Sequence, residues 1–232
     1  MKRKSGKDFC ITAVLVFLLV YPAFGARIGL FFGNFDPVHA AHVLIVTKSF
    51  KTLNLDRIYA IPFQVSDSEF PVSFRMRCEM LKKILQNGAE QFKVPCEKLE
   101  GWDQDKALPL DPHLFAQRVL KELLYWEGWD HQYFQIMGTD EFQILLKTSG
   151  FPPSDQPLSI VVIKRPGFNR TIPRHLIPEL GERLFPIDLD TPRVSSREIR
   201  ALLEQGKISP HLSEEAAEYI KEKQLYGFPK SN

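Results

Sequence analysis

Gly33-Asn34-Phe35-Asp36-Pro37-Val38-His39-Ala40-Ala41-His42 brings together residue types that handle phosphate. Two imidazoles three residues apart fall on one face of a helix's first turn. The N-terminal amides of that helix lie beside them, and both kinds of group are donors toward negative charge. Glycine at the end of a strand lets backbone approach a ligand closely, and Pro37 suits a turn just before a helix. The elements that must position this stretch flank it. Ile28-Gly29-Leu30-Phe31-Phe32 is an apolar run that reads as a buried parallel strand, and Val43-Leu44-Ile45-Val46 continues as a helix. A metal pair is the competing reading of His39 and His42, since two ligands on one helix face are common in metal sites. Spacing places no third or fourth ligand, because His113, His131, His175 and His211 are scattered.

Three further stretches could join this chemistry. Val194-Ser195-Ser196, after Pro192, reads first as a helix N-cap, since serine accepts orphan amides there. The same amides and hydroxyls can hold a phosphate, with Arg200 one turn further on. Gly138-Thr139-Asp140 ends a strand, and Asp140 reads as a cap for the helix after it. Arg165, in Lys164-Arg165-Pro166, is a loop cation whose plain reading is solvent exposure.

The pattern Gly33-x-Phe35-x-Pro37-x-His39-x-x-His42 resembles the signature of the histidine-pair nucleotidyltransferases. Within that superfamily the chain is most similar to the bacterial nicotinate-nucleotide adenylyltransferases. Similarity continues in order at Tyr59–Pro62, Arg77–Leu81, Ile136–Asp140, Ile163–Gly167, Val194–Arg200 and Glu218–Ile220, ending at Leu225-Tyr226. The resemblance implies transfer of AMP from ATP to nicotinate mononucleotide, with release of pyrophosphate. It implies His39, His42 and Arg200 as catalytic residues. It also implies nucleotide contacts from Gly33, Asn34, Phe35, Gly138, Asp140, Arg165, Ser195 and Ser196, with Mg²⁺ arriving on ATP rather than in a protein-held metal site. Two departures bear on the acceptor. A Pro-His-Lys usual after the second strand is replaced by Phe63-Gln64-Val65-Ser66-Asp67-Ser68-Glu69, and Asp67 and Glu69 would repel a nicotinate carboxylate at short range. The tryptophan often found after Gly138-Thr139-Asp140 is absent, leaving Phe142 or Phe151 to stack on the pyridine ring. The same chemistry on nicotinamide mononucleotide or another phosphorylated acceptor, or a nucleotide-binding protein without turnover, are therefore alternatives.

Apolar runs alternating with helical patterns predict an α/β fold, a Rossmann-like, mostly parallel sheet with helices on both faces. Strands are expected at 28–32, 57–62, 92–94, 133–137, 158–163 and 184–187. Helices are expected at about 73–86, from Asp111-Pro112 to 126, 196–205 and 213–223. Ligands of such sheets lie beyond the carboxyl ends of the strands.

Of the 30 lysines and arginines against 28 acidic residues, Lys2, Arg3, Lys4 and Lys7 sit in the first 26 residues. The remainder is close to neutral, which gives no footing for a nucleic-acid partner. That basic start, the apolar run from Phe9 to Val20 and the small residues Ala23 and Gly25 have the layout of an export signal or anchor over 1–25. Residues 26–232 then form the nucleotidyltransferase domain, and any membrane contact comes through the leader. ATP chemistry favours cytoplasm, so compartment stays open, as does oligomeric state. Cys78 and Cys96 could make one disulfide, but their spacing fits no metal or redox motif, so free buried thiols are the expectation and the pairing stays open.

Overall fold

β1 (Arg27–Gly33) lies at the middle of one six-stranded sheet, and the chain winds away from it in both directions. A computed structural model describes residues 25–63, 71–87, 89–99, 112–148, 156–164 and 181–229. Expectations that rest on the leader, on 64–69, on Asp111, on Phe151 and on Arg165 fall outside these residues. The strands run in the order β3-β2-β1-β4-β5-β6, every neighbouring pair parallel. They are β2 (Arg57–Pro62), β3 (Phe92–Lys93), β4 (Gln132–Gly138), β5 (Leu158–Lys164) and β6 (Leu184–Asp188). This is the doubly wound order of dinucleotide-binding sheets. Helices α1 (Ala40–Thr52), α2 (Phe74–Leu85), the one-turn α3 (Cys96–Leu99), α4 (Pro112–Glu127), α5 (Thr139–Thr148), α6 (Ser196–Glu204) and α7 (Glu214–Lys223) cover both faces.

The sheet forms where sequence reasoning places it because its central strands can bury both faces. In β1 every residue after Arg27 is buried, and in β5 Ile160, Val161, Val162 and Ile163 are buried too. Helix starts follow local chemistry as well: the Met76 amide donates to Ser73 Oγ and the Ala216 amide to Ser213 Oγ. No helix among the described residues is long and apolar enough to cross a membrane.

Two expectations are corrected. Cys78 and Cys96 are joined in a disulfide that ties α2 to α3, both sulfurs buried. Sequence spacing misses the pair because β3 intervenes between the two helices, and only the tertiary path brings them together. Phe142 cannot stack on a ligand: it is fully buried among Met137, Leu145, Ile160 and Val162, on the core side of α5.

Candidate active site

A cleft of about 590 Å³ opens at the carboxyl ends of β1 and β4. This is where the strand order reverses and where parallel sheets hold ligands. Its floor is Phe31–Asn34, one wall is His39 and His42, the second is Gly138 with Glu141, and the third is Thr191–Ser196.

The turn after β1 sets the positions of the histidines. Phe35 adopts a left-handed φ of 49°, which a bulky side chain holds only when its surroundings enforce it. Its ring is fully buried, edge-on to Phe31 at 5.4 Å and to the His42 ring at 5.0 Å. A Cβ on Gly33 would approach that ring to 3.1 Å, so glycine is what lets the ring lie under the strand end. Phe35 therefore supports His42 from beneath and does not line the cleft.

His39 occupies the N-cap of α1, with extended backbone, and His42 is three residues in. Their rings stack at 3.8 Å and 21°. The His39 amide donates to His42 Nδ1 at 3.3 Å, which puts the His42 proton on Nε2 and makes that atom a donor. The pair thus straddles the start of the helix rather than lying wholly within its first turn.

The carbonyls of the turn face away from the cleft, onto donors from two helices. Arg77 Nη1 donates to Asn34 O at 2.8 Å, Arg200 Nη1 to Asp36 O at 2.5 Å, and Ser196 Oγ to Pro37 O at 3.1 Å. The buried Asp36 carboxylate accepts from the Tyr226 hydroxyl at 2.7 Å and lies 3.5 Å from Arg200 Nη1. Burial holds the Asp36 carboxyl above its ordinary range, against the opposing pull of Tyr226, Arg200 and Arg77. The Tyr226 hydroxyl is driven up, first by burial and then by the Asp36 charge.

At α6 the Glu198 amide donates to Ser195 Oγ at 3.2 Å, and the Ser195 amide returns a bond to Glu198 Oε2 at 3.0 Å. Both serine hydroxyls are therefore engaged in structure, Ser195 in this capping box and Ser196 on Pro37. Ser196, which lines the cleft, is the first residue of α6, and its amide by position makes no intrahelical bond.

The structure gathers Gly33, Asn34, His39, His42, Gly138, Ser195 and Ser196 in one cleft. It places Arg200 behind the cleft, on Asp36, and Asp140 beside rather than in the lining. Sequence reading misses Glu141, whose Oε2 accepts from the Gly138 amide at 3.1 Å. It also misses the exposed Arg193, and Phe63, whose ring stacks with Phe32 at 6.1 Å and 21°. Arg77 did carry a signal: an arginine stands among Phe74, Cys78, Leu81 and Leu85 on the core-facing stripe of α2.

Among the described residues no group of three or more His, Cys, Asp or Glu side chains could hold a metal ion. The cleft carboxylates Glu141 and Glu198 already accept backbone amides. That donor set does not suit a resident ion.

The sequence pattern of the cytidylyltransferase-like family matches residues 30–202. The probable nicotinate-nucleotide adenylyltransferase of Bacillus licheniformis is 31% identical over 204 residues, covering 86% of this chain and 98% of its own. That of Rubrobacter xylanophilus is 28% identical over 200 residues, covering 84% and 88%. The fold matches Plasmodium falciparum nicotinic acid mononucleotide adenylyltransferase complexed with APC at a TM-score of 0.62. That match has 17% identity and covers 88% of this chain and 98% of the other. With the family pattern spanning most of its length and a relative this similar along nearly all of the described fold, the chain belongs to the cytidylyltransferase-like family, among its nicotinate-nucleotide adenylyltransferases.

Proposed function

We propose that the protein transfers the adenylyl group of ATP to the phosphate of nicotinate mononucleotide, releasing pyrophosphate and forming the dinucleotide, a step of NAD biosynthesis. The stacked His39–His42 pair at a helix N-terminus, at the sheet's crossover point, carries this reading. An oxygen of the acceptor phosphate bonds to the α-phosphorus as the bond from that phosphorus to the oxygen bridging to the β-phosphorus breaks. The attacking phosphate is already anionic at neutral pH, so the site needs no general base. Catalysis is in-line placement plus stabilisation of charge on the α-phosphate and the departing pyrophosphate. His42 Nε2–H and the His39 ring would donate to the phosphates, beside the N-terminal amides of α1. The first amide of α6 and the Arg193 guanidinium would meet the far phosphates, with Arg165 as a second cation.

In this reading Ser195, Ser196, Phe35 and Arg200 act through the backbone they hold. The adenosine ribose lies against Gly138 and Glu141, with Asp140 next to them. Mg²⁺ on the nucleotide supplies further charge neutralisation. Phe63 and Phe32 offer the aromatic wall that Phe142, being buried, does not. Residues 26–232 are taken as the catalytic unit and 1–25 as a separate exporting or anchoring segment, with β1, among the described residues, starting at Arg27.

The test is product formation from ATP and Mg²⁺ with nicotinate mononucleotide and, in parallel, nicotinamide mononucleotide, scored for dinucleotide and pyrophosphate together. Turnover with the nicotinate acceptor is expected. Bound ATP with no product on either acceptor would refute the proposal and select a nucleotide-binding protein without turnover.

A further inference from the structure

Arg77 is fully buried, yet it is no substrate contact: it does not line the cleft. Its two terminal nitrogens go to two different strand ends. Nη1 donates to Asn34 O at 2.8 Å, just past β1, and Nη2 donates to Phe63 O at 2.9 Å, just past β2. The Phe63 amide donates in turn to Gly33 O at 3.0 Å, so the two ends form one unit. Asn34 and Phe63 both line the cleft. A helix needs an apolar residue at this core-facing position, and a buried guanidinium is costly unless fully partnered. Stability alone would place a leucine or methionine there. What the arginine adds is a rigid planar fork with a separate donor for each carbonyl, which no apolar side chain offers and which a single flexible ammonium does not fix in one geometry.

We propose that Arg77 is a positioning residue for adenylyl transfer: its guanidinium sets the turn that carries His39 and His42 against the strand end that carries Phe63. The proposal rests on the function argued above, because the two strand ends there hold the two reactants, nucleotide on the β1 side and acceptor on the β2 side. Losing the bridge leaves each half able to bind and spoils their mutual alignment. The expected signature is a fall in kcat with little change in affinity. A misplacement of ~1 Å between reacting groups costs on the order of 10²-fold in rate.

Two variants of the full chain test this. Arg77→Met keeps the volume and the apolar packing, and Arg77→Lys keeps the charge near Asp36 but replaces the rigid two-pronged fork by a single flexible donor group. Both are expected to melt cooperatively, to bind ATP by calorimetry within about threefold of the unsubstituted protein, and to lose about 10–100-fold in kcat. Amide hydrogen exchange is expected to rise at residues 33–39 and at Phe63 in both. A folded Arg77→Met protein with unchanged kcat and unchanged exchange would overturn the proposal. So would a loss of ATP affinity as large as the loss of kcat, which would make Arg77 a binding residue. If the unsubstituted protein makes no dinucleotide, the function reading fails. The exchange measurement then still decides the bridge: unaltered exchange in both variants overturns it.

Discussion

Reduction of the Cys78–Cys96 disulfide is expected to lower stability by ~3 kcal/mol while leaving the cleft in place. The two cysteines are separated by 18 residues. The loop-closure relation for a crosslink of that span gives roughly 11 cal/mol/K of denatured-state entropy, or ~3 kcal/mol at 25 °C. For a chain of this size each kcal/mol moves Tm by about 2–4 °C, so the oxidised protein should melt ~6–12 °C above the reduced one. Phe74, Met80, Leu81 and Leu85 stay packed on α2 without the crosslink, so Arg77 should keep its place and kcat should stay within about threefold. The assay pairs a thiol titration in denaturant with melting curves, with and without a dithiol reductant. Only Cys10 of the three cysteines should titrate in the oxidised full chain, and all three after reduction. A double Cys78→Ala, Cys96→Ala variant should melt at the same temperature with or without reductant. Equal melting temperatures for the unsubstituted protein, with the thiol count confirming a change of redox state, would refute the reasoning.

Removing either imidazole, in His39→Ala or His42→Ala, is expected to cost about 10²–10³ in kcat, the usual loss for a transition-state donor, as read by steady-state pyrophosphate release. Tyr226→Phe takes a hydrogen-bond donor from the buried Asp36 carboxylate, so denaturant unfolding should show a loss of ~1–3 kcal/mol. On the far side of α2, the Tyr219 hydroxyl donates to Glu79 at 2.7 Å and, as the leading cause, holds that carboxyl below its ordinary value of 4.5. A depressed carboxyl stabilises the fold above its unfolded value and loses that contribution as pH falls through the folded one. Tyr219→Phe should accordingly flatten the decline in Tm below pH 4.5 and leave kcat unaltered, as checked by melts across an acid series.

How legible the molecule is from its sequence depends on the length over which each feature is encoded. Strands β1, β2 and β5 announce themselves, because a strand buried on both faces is apolar along nearly its whole length, and Leu158–Ile163 needs no context to be read. The helix caps at Ser73, Ser195 and Ser213 are equally local. The His39–His42 stretch is dense enough to point to phosphate chemistry before any fold is known. What the sequence hides are partnerships across the chain. Arg200 reads as a phosphate ligand because a cation one turn into a capped helix is a common phosphate contact. Its actual partner, Asp36, is 164 residues away. Tyr226 to Asp36, across 190 residues, is equally invisible to spacing.

Those distant partnerships share one target, and this explains why so much buried polarity is tolerated. Asp36, Arg77 and Tyr226 are each buried charged or hydroxyl-bearing side chains that an apolar core would dispense with, and each costs stability unless partnered. Arg77 and Tyr226, with Arg200 and Ser196, converge on the four residues from Asn34 to Pro37, the buried Asp36 among them. A left-handed phenylalanine at position 35 would not persist in a turn left to itself. Donors from α2 and α6 take the carbonyls of that turn, and Tyr226, just past α7, takes the Asp36 carboxylate. The Phe35 ring is thereby pinned beneath His42, and the stacked imidazoles stand at the helix start before any ligand arrives. Preorganisation of this kind is what positioning catalysis requires, since donors already aimed at developing charge need no reorganisation during the reaction. The stability lost to burying these groups is thus spent on the rigidity of ten residues, Gly33 to His42, which is where the chemistry is read from the sequence in the first place.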